Sequence, residues 1–200
     1  MDLLIMAGID AKLEAARLRE QAGDLAGAQA VLDATPEPER TGAWFYARGA
    51  MAVRAGRFAE GVAQLELAVQ REPEVAEYRS NLGAALLEQA KAGDAAAGQR
   101  ALEQLELAVQ WGATLPEVFA NLAFARLVNG DAKGALAAAD VGLRLDRRHV
   151  GALYNRAAAL NALGQLVPCL ATLDELLSVA PGFAPAVQSR ANTLQKLGRA

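Results

Sequence analysis

The sequence predicts an all-α protein built from a tandem array of helix pairs, and its evenly spaced glycines are the main reason. Gly130, Gly164 and Gly198 recur at a constant interval of 34, and each follows a run of helix-forming residues. Gly56 lies one interval of 34 and one of 40 before Gly130, and Gly23 lies 33 before Gly56. A period of roughly 34 residues is typical of stacked helix–turn–helix units.

Composition is the second observation that favours a single helical array over residues 1–200. The chain is 53% hydrophobic but only 5% aromatic, and its apolar residues are mainly Ala and Leu. So few aromatic side chains are unusual for one compact core, but small side chains allow helices to pack closely. We therefore expect many short helices that bury their surfaces against neighbours.

The unit at 150–183 shows the pattern most clearly. Leu153 and Leu160 fall at helical spacing and belong to one apolar face. Gly164 ends this first helix, because a residue without Cβ adopts the turn most easily. A second helix with Leu173 in its buried stripe follows, and Pro181 stops it because proline cannot continue a helix.

The same pattern predicts the other units. We place them at 9–40 (degenerate), 42–75, 76–115 and 116–149, with a terminal helix at 184–198. The residues Gln-Leu-Glu-Leu-Ala-Val-Gln occur at 64–70 and again at 104–110, offset by 40. The 76–115 unit therefore carries a six-residue insertion. We place it around Lys91–Arg100, as a lengthened turn or an extra helical turn.

This pattern resembles the tetratricopeptide repeat family. The residues that carry the resemblance are Phe45, Gly49, Leu82, Gly83, Leu86, Ala101, Leu105, Ala108 and the helix stops Pro73 and Pro181. The sequence departs from the family at Arg48, Arg156 and Arg190, which replace the usual first-helix leucine, and at Arg147, which replaces a stop proline. The resemblance implies a right-handed superhelical solenoid of antiparallel helix pairs, with about five repeats plus a terminal helix. It also implies a concave groove, lined by the first helices, that binds peptides or protein segments.

A stripe of polar and apolar residues on the first helices forms the candidate groove. The predicted peptide-binding residues are Tyr46, Asn81, Leu87, Asn121, Phe124, Leu127, Tyr154, Asn155 and Asn161. Asparagine recurs at 81, 121 and 155, with separations that match the repeat lengths, and it resembles the asparagine ladder in the repeat region of O-linked N-acetylglucosamine transferases. An amide offers donors and an acceptor to a ligand backbone. The alternative is that these amides pin neighbouring helices together.

Catalytic, metal-binding and cofactor motifs are not found in the sequence. There is no Gly-rich phosphate loop before a lysine, no His-Glu-x-x-His and no Cys-x-x-Cys. We interpret the single histidine, His149, as a turn residue and the single cysteine, Cys169, as an inert packed thiol. We therefore expect no enzyme activity in this chain, no cofactor and no metal.

Charge and hydropathy restrict the partners. The net charge of −3 favours neither nucleic acid nor anionic lipid, and no apolar run reaches membrane-spanning length. The apolar start is too short for a signal peptide and carries an acidic residue, so we expect a cytoplasmic location. Arginine outnumbers lysine sixteen to four, which indicates a bacterial genome rich in GC.

The predicted function is a protein-interaction scaffold or adaptor that binds a peptide or protein segment in the concave groove. Two alternatives remain open. In one, the chain is the N-terminal substrate-recruiting arm of a larger enzyme such as a glycosyltransferase. In the other, the protein self-associates through its C-terminal helix, because an array that lacks a polar capping helix at its end can stack on a second copy.

Overall fold

The computed structural model of the chain describes the backbone of residues 3–199 and the side chains of residues 8–199. Within residues 3–199 all regular structure is helical, which confirms the predicted all-α class. The helices are α1 (Leu3–Gln21), α2 (Leu25–Asp33), α3 (Gly42–Arg54), α4 (Phe58–Arg71), α5 (Ala76–Lys91), α6 (Ala95–Gln110), α7 (Pro116–Val128), α8 (Ala132–Leu145), α9 (Val150–Ala162), α10 (Leu166–Val179) and α11 (Ala184–Lys196). A short 3₁₀ helix, Glu37–Glu39, connects α2 to α3.

The helices form an α solenoid of consecutive pairs. Each first helix (α1, α3, α5, α7 and α9) packs against the second helix that follows it, and each second helix from α4 onward packs against the next first helix. Consecutive first helices also touch one another from α1 to α9, whereas within residues 3–199 consecutive second helices make no comparable contact. The first helices therefore lie on the inner side of the solenoid.

Glycine forms the turn inside each pair, as the sequence predicts. At Gly56 and Gly130 the backbone φ is 74° and 81°, a left-handed conformation that side chains with a Cβ disfavour. Asp24, Asp94 and Asp131 follow three of these turns and cap the next helix by accepting a hydrogen bond from its backbone. Residues close in sequence therefore determine where the first helix ends and where the second begins, with three residues between them.

The third pair is longer than its neighbours. α5 is three residues longer than α3, α7 and α9, and α6 is two residues longer than α4, α8 and α10. The α5–α6 turn, Ala92–Asp94, has the same three-residue length as the turn inside the neighbouring pairs. The α6–α7 turn has five residues, one more than the α4–α5, α8–α9 and α10–α11 turns. The additional residues thus extend both helices rather than the turn around Gly93.

The core depends on close helix approaches at two glycines. Gly49 of α3 and Gly83 of α5 sit against Leu65 of α4 and Leu105 of α6, and both leucines are fully buried. A Cβ at either glycine would lie within 3 Å of the leucine Cγ. Both leucines belong to the duplicated seven-residue segment, so the duplication preserves one packing arrangement in two successive pairs.

The three arginines that replace the family's leucine form regular ion pairs between successive helix pairs. Each binds an aspartate of the preceding second helix: Arg48 with Asp33, Arg156 with Asp140 at 2.8 Å, and Arg190 with Asp174 at 2.6 Å. Ion pairs this exposed contribute at most about 1 kcal/mol each. Because each arginine has an aspartate partner at the same place in the repeat, its charge is paired where the family has an apolar leucine.

The terminal helix α11 packs against α10 and leaves Val187 half exposed on its other side. Self-association through α11 stays a prediction. None of the helices within residues 3–199 is long and apolar enough to cross a membrane.

Candidate functional site

The inner surface of the solenoid, formed by the first helices, contains two cavities, and we call this surface the first-helix groove. One cavity, of about 380 Å³, lies between α1 and α3. The other, of about 400 Å³, lies between α9 and α11, with α10 beneath it. The two cavities are therefore near opposite ends of the same surface.

The α1–α3 cavity has an apolar floor and a charged rim. The apolar part comprises Leu13, Ala16, Ala43, Ala47, Ala50 and Met51. On the rim, Arg54 pairs with Glu20 of α1. Small side chains on α3 leave the cavity open, because alanine fills only the volume of a methyl group. Among the residues that line this cavity, Tyr46 is one of the predicted groove residues. The alanines at 43, 47 and 50, which share one helical face, are the sequence signal for the rest of the cavity.

Tyr46 forms a fixed part of this rim. Its ring stacks on Tyr78 with centroids 4.9 Å apart, and its hydroxyl donates a hydrogen bond to the Glu77 carboxylate at 2.7 Å. Burial and the Glu77 carboxylate raise the pKa of the Tyr46 hydroxyl well above its ordinary value. Burial likewise raises the pKa of Tyr78 to about 12. Both hydroxyls therefore stay protonated at neutral pH.

The recurring asparagines do not share one environment. Asn155 is only 9% exposed, and its amide donates a hydrogen bond to the Ala120 carbonyl of α7 at 2.8 Å. The Asn81 amide donates to the Glu77 carbonyl at 3.0 Å and to the Tyr46 hydroxyl at 3.4 Å. Asn121 is partly exposed, and its side chain makes no hydrogen bond to the residues whose side chains are described. Asn155 thus ties α9 to α7, as the helix-pinning alternative expects.

Replacing Asn155 with alanine is expected to destabilise the fold. The change removes the α9–α7 hydrogen bond, which costs about 1 kcal/mol, equivalent to a melting temperature lower by about 2–4 °C in a chain of this size. Asn121→Ala is the matched control at the equivalent repeat position and is expected to change stability by less than about 0.5 kcal/mol. Thermal unfolding followed by circular dichroism measures both. Equal losses would show that both amides serve the fold.

The apolar residues predicted near the centre of the groove differ in exposure. Leu87 is 2% exposed and packs in the core, so its predicted place in the groove is wrong. The reason is that Leu87 belongs to a buried cluster built from residues of α4 to α8, so neighbouring helices enclose this position. Phe124 and Leu127 on α7 remain partly exposed, and the Lys91 ammonium lies 5.3 Å from the Phe124 ring centroid.

The α9–α11 cavity has polar walls. Tyr154, Asn161, Ser189, Asn192, Gln195 and Lys196 line it. The Lys196 ammonium donates a hydrogen bond to the Asn161 side-chain oxygen at 2.9 Å. Cys169 lies at its buried floor, where the thiol donates to the Ala157 carbonyl at 3.3 Å. This cavity thus offers hydrogen-bonding groups, in contrast to the apolar cavity between α1 and α3.

The described titratable side chains form no arrangement suited to metal binding. Among the described residues no cluster of three or more His, Cys, Asp or Glu side chains could hold a metal ion. His149 caps α9, because its Nδ1 accepts a hydrogen bond from the Ala152 backbone at 3.1 Å. His149 therefore has a structural role at a helix start.

Stacked helix pairs of this length, with first helices on the inner side, are the architecture of tetratricopeptide repeat proteins. Comparison with protein-family models finds no match, and comparison with curated proteins finds no relative. Solved structures do match, and they show that the chain has the tetratricopeptide-repeat fold.

Three of these structures illustrate the likeness. A tetratricopeptide repeat protein from Parabacteroides merdae superposes with a TM-score of 0.74 at 16% identity, over 95% of this chain and 73% of that protein. YrrB, described as a TPR protein with an unusual peptide-binding site, gives 0.66 at 15% identity, over 82% and 81%. MamA gives 0.65 at 20% identity, over 76% and 85%.

Proposed function

We propose that this protein is an interaction scaffold that binds an extended segment of a partner protein along the first-helix groove. The observation that carries the proposal is the pair of cavities near opposite ends of one continuous surface. Their volumes fall in the range typical of ligand sites. A segment that spans both would engage α1 and α3 at one end and α9 and α11 at the other.

The two cavities favour different chemistry in the ligand. The α1–α3 cavity, with its apolar floor and charged rim, suits a large apolar side chain flanked by polar residues. The α9–α11 cavity suits polar side chains or main-chain groups, because Asn192 and Lys196 present donors there. Phe124 and Asn121, both partly exposed on α7, would contact the middle of such a segment. A peptide-binding site described in YrrB, which has the same fold, supports a scaffold of this kind.

Filling the apolar cavity tests the proposal. Peptides are first selected on the wild-type protein from an unbiased displayed library, and their affinities are measured by fluorescence anisotropy. Ala47→Trp places an indole in the α1–α3 cavity and is expected to weaken binding of the selected peptides at least about tenfold, or 1.4 kcal/mol. The melting temperature is expected to change little, since Ala47 is only partly buried and lines the cavity that the indole would enter.

Ala63→Trp is the matched control, because Ala63 is exposed on α4, a second helix that lines neither cavity. It is expected to bind the peptides like the wild type. If Ala47→Trp leaves every selected peptide bound with wild-type affinity, the first-helix groove is not the binding surface.

A further inference from the structure

A second groove lies on the opposite side of α3 from the first-helix groove. It has a volume of about 490 Å³ and is bordered by the end of α2, the connection before α3, and α3 and α4. The residues that matter for its chemistry are Arg40, Trp44, Phe45, Gln64, Leu67 and Arg71. We call it the arginine groove.

Two aromatic rings hold the arginines in place. The Trp44 indole is fixed by a hydrogen bond from its Nε1 to the Leu32 carbonyl at 3.0 Å, and it meets Phe45 edge to face with centroids 5.0 Å apart. The Arg40 guanidinium lies 4.6 Å from the Trp44 ring centroid, and that of Arg71 lies 5.1 Å from the Phe45 centroid. Cation–π contacts of this kind orient both guanidinium groups before any ligand arrives.

These two guanidinium groups keep donors available. Arg40 uses Nε to donate to the Thr35 carbonyl at 3.3 Å, and Arg71 uses Nη1 to donate to the Arg40 carbonyl. Neither forms an ion pair with a carboxylate of the residues whose side chains are described. Because each guanidinium carries five N–H donors, most of the donors of both groups remain for a ligand.

The residues that line the groove carry a small excess of positive charge, in a chain that is acidic overall. Its third arginine, Arg48, already pairs with Asp33. Three arginines line the groove with two carboxylates, Asp33 and Glu37, whereas the whole chain carries a net charge of −3. A ligand that complements the groove therefore brings a negative group.

A buried acceptor in the same groove has no partner. The side-chain oxygens Gln64 Oε1 and Thr35 Oγ1 are the two buried side-chain polar atoms without a hydrogen bond among the described residues. Gln64 lines the arginine groove, and Thr35 lies beside it, since its carbonyl binds Arg40. Buried polar groups are normally satisfied. A rotation of the Gln64 amide would let its oxygen accept from a backbone N–H of a bound peptide.

We propose that the arginine groove binds an acidic peptide segment of a partner protein. An aspartate or glutamate carboxylate of the segment accepts hydrogen bonds from Arg40 and Arg71. A neighbouring apolar side chain packs on Leu67, which is 37% exposed and lines the groove. A peptide fits better than a nucleic acid. Two guanidinium groups suffice to bind one carboxylate, whereas a nucleic-acid backbone requires a row of basic side chains along its phosphates.

The probe is a short Gly/Ser-flanked peptide with the central sequence Leu-Glu-Glu-Leu, compared with its neutral Leu-Gln-Gln-Leu counterpart. The readout is NMR of the ¹⁵N-labelled protein, whose two tryptophans give two indole signals. Trp44 is 4% exposed beneath Arg40, and Trp111 is 47% exposed in the α6–α7 turn. The acidic peptide is expected to shift the Trp44 signal and not the Trp111 signal, and the neutral peptide to shift neither.

The variant that tests the contact is Arg40→Gln with Arg71→Gln, which is expected to bind the acidic peptide at least about tenfold more weakly. Arg144→Gln with Arg147→Gln is the matched control. It removes the same charge from two arginines that line a different groove, and it is expected to stay within about twofold of wild type. If the glutamine variant loses its helical circular dichroism, Arg40→Lys with Arg71→Lys replaces it. That variant keeps the charge but lacks the paired N–H donors of the guanidinium, and it is expected to bind more weakly than wild type.

Several outcomes would overturn the proposal: equal binding of both peptides, no shift of the Trp44 signal at millimolar peptide, an equal loss in the control, or wild-type affinity in the lysine variant. Tighter binding of a single-stranded oligonucleotide at the same groove would show that the partner class is wrong. Loss of acidic-peptide binding in Ala47→Trp would show that the peptide binds in the first-helix groove. That result would overturn this inference and leave the proposed function standing.

Discussion

Ala135→Arg is expected to destabilise the array by about 3 kcal/mol or more, the largest effect of any single change considered for this protein. Ala135 lies in α8 with no exposed surface. An arginine there must either bring its charge into the packed helix contact or force the helices apart, and each of these is costly. Urea unfolding followed by circular dichroism gives the free energy of unfolding.

The control for this change lies on the same helix. Ala137 is exposed on α8, so Ala137→Arg meets solvent and is expected to change stability by less than about 0.5 kcal/mol. If Ala135→Arg unfolds at the same urea concentration as the control, α8 does not pack as described.

Gly83→Ala is expected to destabilise the protein by about 1–3 kcal/mol. At most helix positions this substitution stabilises, because alanine has the higher helix propensity. At Gly83 a Cβ would lie 2.6 Å from the Leu105 Cγ, so α5 and α6 must separate or Leu105 must leave its rotamer. The change thus measures how much the solenoid depends on this close approach.

Gly8→Ala is the matched control for helix propensity. Gly8 is exposed in α1, and among the residues whose side chains are described no heavy atom beyond the adjoining backbone of α1 lies within 4 Å of the position that its Cβ would take. Here alanine is expected to stabilise the protein by up to about 1 kcal/mol. A stabilising effect of similar size at Gly83 would contradict the close packing of α5 on α6.

The two proposed binding surfaces involve different faces of one helix. Ala47 of α3 borders the first-helix groove, whereas Trp44 of the same helix borders the arginine groove. Since the surfaces do not overlap, a segment in one groove leaves the other open. The proposed scaffold is therefore able to hold two segments at once, which is a useful property in an adaptor.

Local sequence was enough to predict the helical class, the repeat and the turns at Gly56, Gly130 and Gly164. Helix starts and stops depend on residues close in sequence, such as a glycine with positive φ or an aspartate cap. Helical periodicity likewise predicts that Phe124 and Tyr154 lie on the same face as the asparagines, and this remains a prediction. These features need no knowledge of which helices touch.

Tertiary structure decided which residues on that face are available to a ligand. Leu87 lies on the groove face by periodicity, but it is buried in a cluster formed by several helices. Asn155 turns its amide to the Ala120 carbonyl rather than to solvent. The arginine groove was not predicted, because Arg40 and Arg71 are far apart in sequence and meet only when α4 packs against α3. Periodicity defines the faces of a helix, whereas the packing of neighbouring helices determines which of those faces stays open.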